Sequence, residues 1–323
     1  MRAMADLPLS ADAAAAGAEP AGRWWHGSFY RFAPLADPDG VAEALRRCAT
    51  ALHGSIVVAP EGISGAVAGS QAALAAFEAA LQTDPAFGSA FAGIAFKHSR
   101  GVTAPYARLS VLRKPELVAF GVPAVSGLGP DAQALLPTAL DPQAWRALLA
   151  RDDVVLIDNR NSFEFRLGRF RGAIDPQVRN FREFADWVTA HADEWRAAGR
   201  TVAMYCTGGI RCEKTDAWMQ GLGLKVAQLD GGILNYLQAM PDAERDWQGE
   251  CFVFDNRIAI DHHLRETATT AAQVYDPALP DEAWRLERAL RLDAAAAAEP
   301  ATPPVVVPDA EPAAVSASAS AHR

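Results

Sequence analysis

The segment Val202-Ala203-Met204-Tyr205-Cys206-Thr207-Gly208-Gly209-Ile210-Arg211 indicates the fold of the C-terminal half of the chain and its reactive group. Residues 201 to 205 form an apolar run with the length of a buried parallel strand, and a helical pattern follows from about 211 to 220. Two glycines between strand and helix let successive backbone N–H groups point inward as an anion nest. A thiol in that field has a lowered pKa. We therefore predict that Cys206 is the catalytic residue and that Thr207, Gly208, Gly209, Ile210 and Arg211 form its anion cradle.

The rest of this half alternates strands and helices. Val154 to Ile157 reads as a second buried parallel strand, and a helical pattern covers about 181 to 197. Alternation of this kind is typical of a doubly wound α/β domain, which we place at residues 141–250. In such sheets ligands bind where strands end and helices begin. Cys206 lies at such a junction.

The spacing of the loop separates two classes of thiolate enzyme. Cysteine phosphatases use Cys-x5-Arg, whereas Arg211 here comes one residue earlier and Cys212 occupies the seventh place. The shorter ring suits a sulfur atom better than a phosphate. Cys212 itself is either an auxiliary thiol or part of the helix packing, and the sequence favours neither.

These features resemble a rhodanese domain. Cys206 to Arg211 looks like its six-residue active loop, and Asp158, Arg160 and Glu164 resemble the D-x-R…E signature after the first strand. Charged groups at a strand end are more typical of an ion-pair network than of catalytic acids, so we predict a structural role for these three residues.

The N-terminal half follows another pattern. We predict strands at 28–33, 55–59, 63–68 and 107–113 and helices at about 39–52 and 70–82, while 84–106 gives no clear assignment. The order βαββαβ predicts a ferredoxin-like α+β domain over residues 23–121.

The remaining segments lie between and after the two domains. We predict a Gly- and Pro-rich linker at 122–140 and a C-terminal segment at 251–291. Residues 1–22 and 292–323 are rich in Ala, Pro and Ser, and we predict that both are disordered.

A narrower resemblance covers most of residues 28–265. The segments Cys206 to Lys214, Leu229 to Ile233 and Gly249 to Arg257 are similar to those of the bacterial tRNA uridine hydroxylases. This resemblance implies oxygen-dependent conversion of a wobble uridine to 5-hydroxyuridine, with tRNA as partner and molecular oxygen as co-substrate. Many relatives carry paired cysteines downstream, but this chain has none after Cys251. We predict no metal site, and no flavin, haem or iron motif is visible.

Binding of tRNA requires a local basic surface, because the formal net charge is -9. We predict phosphate contacts from four arginines in a stretch that also contains phenylalanines, namely Arg169, Arg171, Arg179 and Arg182. The alternative is a solvated face above buried rings. In that case a basic set on the N-terminal domain is expected to hold the RNA, namely Lys97, Arg100, Arg113 and Lys114.

Two other functions remain open at the level of the sequence. A sulfurtransferase would use the same loop to carry a Cys206 persulfide, and a non-enzymatic RNA-binding adaptor would not need the thiol.

The four cysteines are scattered without a CxxC pair, and no apolar run approaches the roughly 20 residues needed to cross a bilayer. We expect a cytoplasmic protein with no membrane contact and no obligate protein partner.

Overall fold

A computed structural model describes residues 24–103, 106, 108–122, 125, 128 and 138–298. Two larger sheets organise them, a five-stranded sheet in the N-terminal half and a four-stranded parallel sheet in the C-terminal half. The predicted disordered segment 1–22 and most of the predicted linker 122–140 lie outside the described residues.

The N-terminal sheet contains one more strand than the predicted βαββαβ unit. Its elements are β1 (Trp24–Phe32), α1 (Pro38–Cys48), β2 (His53–Ala59), β3 (Gly62–Gly69), α2 (Gln71–Thr83), β4 (Phe96–Gly101) and β5 (Leu109–Arg113). The strand order is β4-β1-β3-β2-β5, in which β5 runs parallel to β2 and the other neighbours are antiparallel. The first four strands with α1 and α2 form the ferredoxin-like unit.

The last strand of that unit was wrongly predicted. The predicted strand at 107–113 is the additional strand β5, whereas the fourth ferredoxin-like strand is β4, within the stretch that gave no assignment. The sequence Phe96-Lys-His-Ser-Arg-Gly101 is mostly polar and lies at the edge of the sheet, where β1 is its neighbouring strand. Edge strands often carry charged residues, so an apolar pattern fails to reveal them.

Both N-terminal helices cover the same face of this sheet. Asp37 caps α1 and Ser70 caps α2, each by accepting a backbone N–H with its side-chain oxygen. Phe29 of β1 packs into the core beneath these helices. Because successive side chains of a strand point to opposite faces, Ser28 and Tyr30 lie on the other face of the sheet. That face is turned toward the C-terminal half and forms one wall of a cavity.

The C-terminal half is built on a parallel sheet, as predicted. Its main elements are β6 (Ala139–Leu140), α3 (Pro142–Leu149), β7 (Val154–Asp158), α4 (Ser162–Leu167), β8 (Gly168–Phe170), α5 (Glu183–Ala197), β9 (Thr201–Tyr205), α6 (Ile210–Gly221), β10 (Lys225–Leu229) and α7 (Gly232–Ala239). The order is β6-β10-β9-β7. Since these strands are parallel, Asp158, which ends β7, lies at the same edge of the sheet as Cys206 and Asp230, which follow β9 and β10.

The C-terminal segment returns to the N-terminal sheet. It contains β11 (Trp247–Gly249), β12 (Cys251–Phe252), β13 (Ala259–Ile260), α8 (Ala271–Val274) and α9 (Pro280–Ala298). Asp255 and Arg257 form a buried ion pair, and Arg257 Nη1 donates to Ser99 Oγ of β4 at 2.8 Å. The Glu266 carboxylate accepts from the backbone N–H groups of Val102 and Thr103. The segment therefore links the two halves.

A buried ion pair also joins the halves. Lys214 of α6 is completely buried, and its Nζ lies 2.7 Å from both carboxylate oxygens of Glu61 in the β2–β3 turn. A second carboxylate, that of Glu116, lies 3.0 Å from the same nitrogen. Breaking a buried ion pair is strongly destabilising, so these contacts hold the N-terminal sheet against α6.

Helix α9 corrects the predicted start of the disordered tail. It continues to Ala298, past the predicted boundary at 292, because its alanines have the highest helix propensity of all residues. Residues 299–323 lie outside the described residues. Within the described part of the chain, no helix combines the length and apolar character that crossing a membrane requires.

Candidate active site

The loop after β9 wraps its backbone around the sulfur of Cys206. Gly209 adopts a φ of 98°, which glycine tolerates, and its N–H lies 3.2 Å from Cys206 Sγ. The N–H groups of Arg211 and Cys212, in the first turn of α6, also donate to this sulfur. The predicted nest is therefore formed by the loop together with the helix N-terminus.

A second glycine turn braces the loop from the neighbouring strand. Gly231, which precedes α7, and Gly232, which begins it, both have positive φ, and a side chain at Gly232 would collide with the Cys206 carbonyl oxygen. The Ile233 N–H donates to that oxygen at 3.0 Å. The Leu229-to-Ile233 segment therefore has a structural role, which is to support the loop of Cys206.

The thiol of Cys206 ionises readily at this position. Burial by itself would raise its pKa, since the side chain is only 1% exposed. The hydrogen bond from the Cys212 thiol, the charge of Arg211 and the backbone N–H groups outweigh burial and lower the pKa to about 5. Cys206 is consequently a thiolate at neutral pH.

Cys212 has the opposite ionisation behaviour. Its side chain is fully buried, and burial raises its pKa well above the ordinary value. The neighbouring Cys206 thiolate raises it further. Cys212 therefore keeps its proton and donates it in a hydrogen bond to Cys206.

Arg211 pins the loop through an ion pair with Glu164. Its guanidinium binds the Glu164 carboxylate with two hydrogen bonds, of 2.9 and 2.7 Å. Glu164 is fully buried, and although burial favours its neutral form, the charge and hydrogen bonds of Arg211 lower its pKa. The positive charge of Arg211 still favours the Cys206 thiolate, but its hydrogen-bonding groups face Glu164.

The other two residues of the D-x-R…E signature form a separate ion pair. Arg160 and Asp158 are buried and joined by two hydrogen bonds of 2.7 and 2.6 Å. Arg160 also donates to the Gly168 carbonyl oxygen, and the Tyr205 hydroxyl donates to Asp158. These contacts fix the ends of β7, β8 and β9 beneath the loop.

The N-terminal sheet closes the site from the opposite side. A cavity of about 770 Å³ lies between Cys206 and the open sheet face, and Ser28, Tyr30 and Lys97 line it. The Tyr30 hydroxyl donates to Glu213 of α6 at 2.8 Å. Sequence analysis missed Ser28 and Tyr30, and it placed Lys97 only on an alternative RNA surface. Strand alternation signals which residues share a face, but not which face meets the loop.

The four predicted tRNA-binding arginines do not form one surface. Arg182 lines the cavity, whereas Arg179 is exposed and paired with Glu183. Arg169 stacks on the Phe165 ring, and Arg171 donates to backbone carbonyl oxygens near residue 245, away from the cavity. The lining of the cavity also includes basic and aromatic residues that sequence analysis did not single out, namely Phe254, Trp284, Arg285 and Arg288.

Comparison with known proteins agrees with both halves of this architecture. Residues 25–117 match the UPF0176 acylphosphatase-like domain, and residues 141–239 match the rhodanese-like domain. Among solved structures, the rhodanese-like domain of an Anabaena protein matches with a TM-score of 0.28 and 16% identity, covering 35% of this chain and 80% of that one.

Curated relatives match over both halves. A tRNA uridine(34) hydroxylase of Nitrobacter winogradskyi is 43% identical over 258 residues, which are 79% of this chain and 98% of that protein. A protein of the same name from Brucella ovis is 41% identical over 243 residues, 74% of this chain and 76% of its own length. The predicted resemblance is thereby confirmed, and the chain belongs to the tRNA uridine(34) hydroxylase family of enzymes.

Proposed function

We propose that this enzyme hydroxylates C5 of the wobble uridine of its substrate tRNAs and that Cys206 is the nucleophile. The observation that carries the proposal is a thiol with a pKa of about 5 in the wall of a cavity of about 770 Å³. The relatives, named for uridine 34 of tRNA, support the substrate. A base in an anticodon loop can leave its stack and enter such a cavity.

In the proposed reaction the Cys206 thiolate adds to C6 of the uracil ring. The electron pair of the C5–C6 double bond moves to C5 and is shared with O4 as an enolate. C5 then attacks an electrophilic oxygen atom derived from molecular oxygen, the proposed co-substrate. Loss of the C5 proton and expulsion of the sulfur from C6 restore the double bond and free the thiolate.

The atoms and electrons of this scheme balance with one further reactant. C5–H becomes C5–OH, and one atom of molecular oxygen enters the base. The other atom leaves as water when a two-electron donor is oxidised. The residues described above supply the nucleophile and its cradle.

The tRNA backbone is proposed to bind at the opening of the cavity. Arg182, Arg285 and Arg288 line it with positive charge, and Trp284 is 46% exposed beside them. Guanidinium groups contact phosphates without reading sequence, while an exposed indole can stack on a base. This combination is suited to an anticodon loop whose target base enters the cavity.

Sulfur transfer is the second candidate, because the same six-residue cradle would also hold a Cys206 persulfide. The closure of the loop by Tyr30 and Lys97 favours a reaction on a bound base over transfer to a diffusing acceptor. A non-enzymatic adaptor is not supported, since the named relatives are enzymes.

Nucleoside mass spectrometry of tRNA tests the proposal. In a strain lacking the gene, the wild-type protein should restore 5-hydroxyuridine derivatives, and Cys206→Ser should not, since a serine hydroxyl stays protonated near neutral pH. Cys48→Ser is the matched control, because Cys48 lies on α1 and its thiol contacts Asp84.

Three outcomes are distinguishable. Restoration of 5-hydroxyuridine by Cys206→Ser would show that the nucleophile is wrongly assigned. Restoration of a thiolated nucleoside instead, by the wild-type protein alone, would favour sulfur transfer. No nucleoside change with the wild-type protein would refute both reactions.

A further inference from the structure

Lys97 brings a cation from the N-terminal sheet to the loop of Cys206. Its side chain lines the same cavity as Cys206, and its Nζ lies 4.9 Å from the centroid of the Tyr30 ring. Its Cε is 3.2 Å from the position that a Cβ of Gly231 would occupy, in the turn that braces the loop. Lys97 therefore lies between the Tyr30 ring and the glycine turn that braces the active loop.

The other basic side chains of this helix end are already bound by carboxylates. Arg211 donates two hydrogen bonds to Glu164, and Lys214 lies between Glu61 and Glu116. In the described part of the chain, Lys97 has no carboxylate within ion-pair distance. Its ammonium group therefore keeps hydrogen-bonding capacity for a ligand.

A second polar group next to Lys97 has no hydrogen-bond partner in the described part of the chain. Ser28 of β1 is the cross-strand neighbour of Lys97, so their side chains share the sheet face that lines the cavity. The Ser28 hydroxyl oxygen is buried, and among the described residues it has no hydrogen-bond partner. A buried polar atom without a partner is rare in folded proteins, and this one belongs to a residue that lines the cavity.

We propose that the Lys97 ammonium donates a hydrogen bond to O4 of the target uracil. The proposal rests on the proposed function and deepens it. Addition of Cys206 to C6 puts negative charge on O4, so a cation at this atom stabilises the enolate more than the starting base.

This contact also selects the base. Cytosine carries an amino group in place of O4, so it presents a hydrogen-bond donor to an ammonium group that can only donate. Uracil is accepted and cytosine is rejected by the same nitrogen. Tyr30 acts as a positioning residue, because its hydroxyl is fixed on Glu213 while its ring lies beneath Lys97.

The test compares Lys97→Met with Lys225→Met as a matched control. Lys225 begins β10, at the opposite end of the sheet from the loop, and its Nζ donates a hydrogen bond to the Gly199 carbonyl oxygen. Full-length variants are produced in the deletion strain, and 5-hydroxyuridine is measured. Purified variants are tested for binding to two anticodon stem-loops that differ only in U or C at position 34.

We expect Lys97→Met to lower 5-hydroxyuridine formation by about 10- to 100-fold, the range of a hydrogen bond to a charged group. The wild-type preference for U over C in binding should shrink toward one. Alkylation of Cys206 by iodoacetamide should persist, because its cradle is intact. Lys225→Met should match the wild-type protein in every assay.

Unchanged hydroxylation and an unchanged U-to-C preference in Lys97→Met would overturn the proposal. Loss of hydroxylation with the preference retained would also overturn the contact to O4. If Lys97→Met unfolds, Lys97→Gln is judged by the same two measurements. Failure of the wild-type protein to form 5-hydroxyuridine would refute the proposed function itself, which is a distinct outcome.

Discussion

Replacing Cys212 by alanine should make Cys206 a weaker acid. Cys212 is fully buried and stays protonated, and its thiol donates a hydrogen bond to the Cys206 thiolate. This bond stabilises only the ionised form of Cys206. Its removal should therefore raise the pKa of Cys206 from about 5.

The size of the change follows from the donor. A hydrogen bond to a charged group contributes about 1.5–3 kcal/mol, and a thiol, as a weak donor, belongs at the lower end of that range. One pKa unit corresponds to about 1.4 kcal/mol, so the midpoint should rise by about 1 pH unit. At pH 5.5 the thiolate fraction should fall about threefold. Arg211 and the backbone N–H groups keep the midpoint below that of a free thiol.

The pH dependence of alkylation measures this midpoint. Iodoacetamide rates at Cys206 are followed by peptide mass spectrometry, and the midpoint is compared between variants because absolute rates also depend on access and nucleophilicity. The sign is fixed by the lowered pKa, since reactivity is half-maximal at about pH 5, approaches its full value at higher pH and falls as the pH drops further. Cys48, whose pKa is raised by burial and by Asp84, provides the slow internal reference.

Cys212→Ser is the matched control, because a serine hydroxyl keeps a donor at the same place. It should return the midpoint toward that of the wild-type protein. An unchanged midpoint in Cys212→Ala would show that Cys212 only fills space in the helix packing. A midpoint near that of a free thiol in the wild-type protein would refute the activated loop altogether.

Two further predictions concern the joint between the halves and the RNA contacts. Lys214→Met should lower the free energy of unfolding in urea by about 3–5 kcal/mol, because it leaves Glu61 and Glu116 without their buried cation. The double variant Lys214→Met with Glu61→Gln should recover part of this loss. Additive losses of the two single variants would contradict the pairing of Lys214 with Glu61. Arg182→Ala should reduce the salt dependence of tRNA binding by about one counterion, while Arg179→Ala, whose side chain is paired and outside the cavity, should change it less. Filter binding over a salt series decides between them, and equal effects would mean that the cavity opening does not hold the RNA.

The N-terminal domain has a direct place in the proposed chemistry. In this chain the cavity wall that faces Cys206 comes from the sheet of the N-terminal domain. The loop of Cys206 lies in the C-terminal half. The added sheet encloses it and brings Ser28, Tyr30 and Lys97 to the reacting group, which provides a physical basis for using this loop on a nucleobase.

Local sequence predicted the centre of the site because its chemistry is local. An apolar strand, two glycines and a helix start are enough to form the N–H nest, and the structure has all three between Thr201 and Gly221. Prediction failed at β4, whose polar residues reflect an edge position rather than burial. Sequence analysis also grouped Arg169, Arg171, Arg179 and Arg182 by their proximity in sequence. In the structure, Arg169 lies on β8, which pairs with β11, whereas Arg179 pairs with Glu183 of α5.

The sequence by itself determined the two fold classes, the position of Cys206 and the family resemblance, since each depends on short-range patterns of polarity, glycine and spacing. Only the tertiary structure decided the partners of the charged residues. Arg211 pairs with Glu164, and Lys214 pairs with Glu61, across 47 and 153 positions of the chain. Such pairings, like the arrival of Lys97 beside Cys206, follow from how two separately folded sheets pack, and no local pattern records which faces will meet.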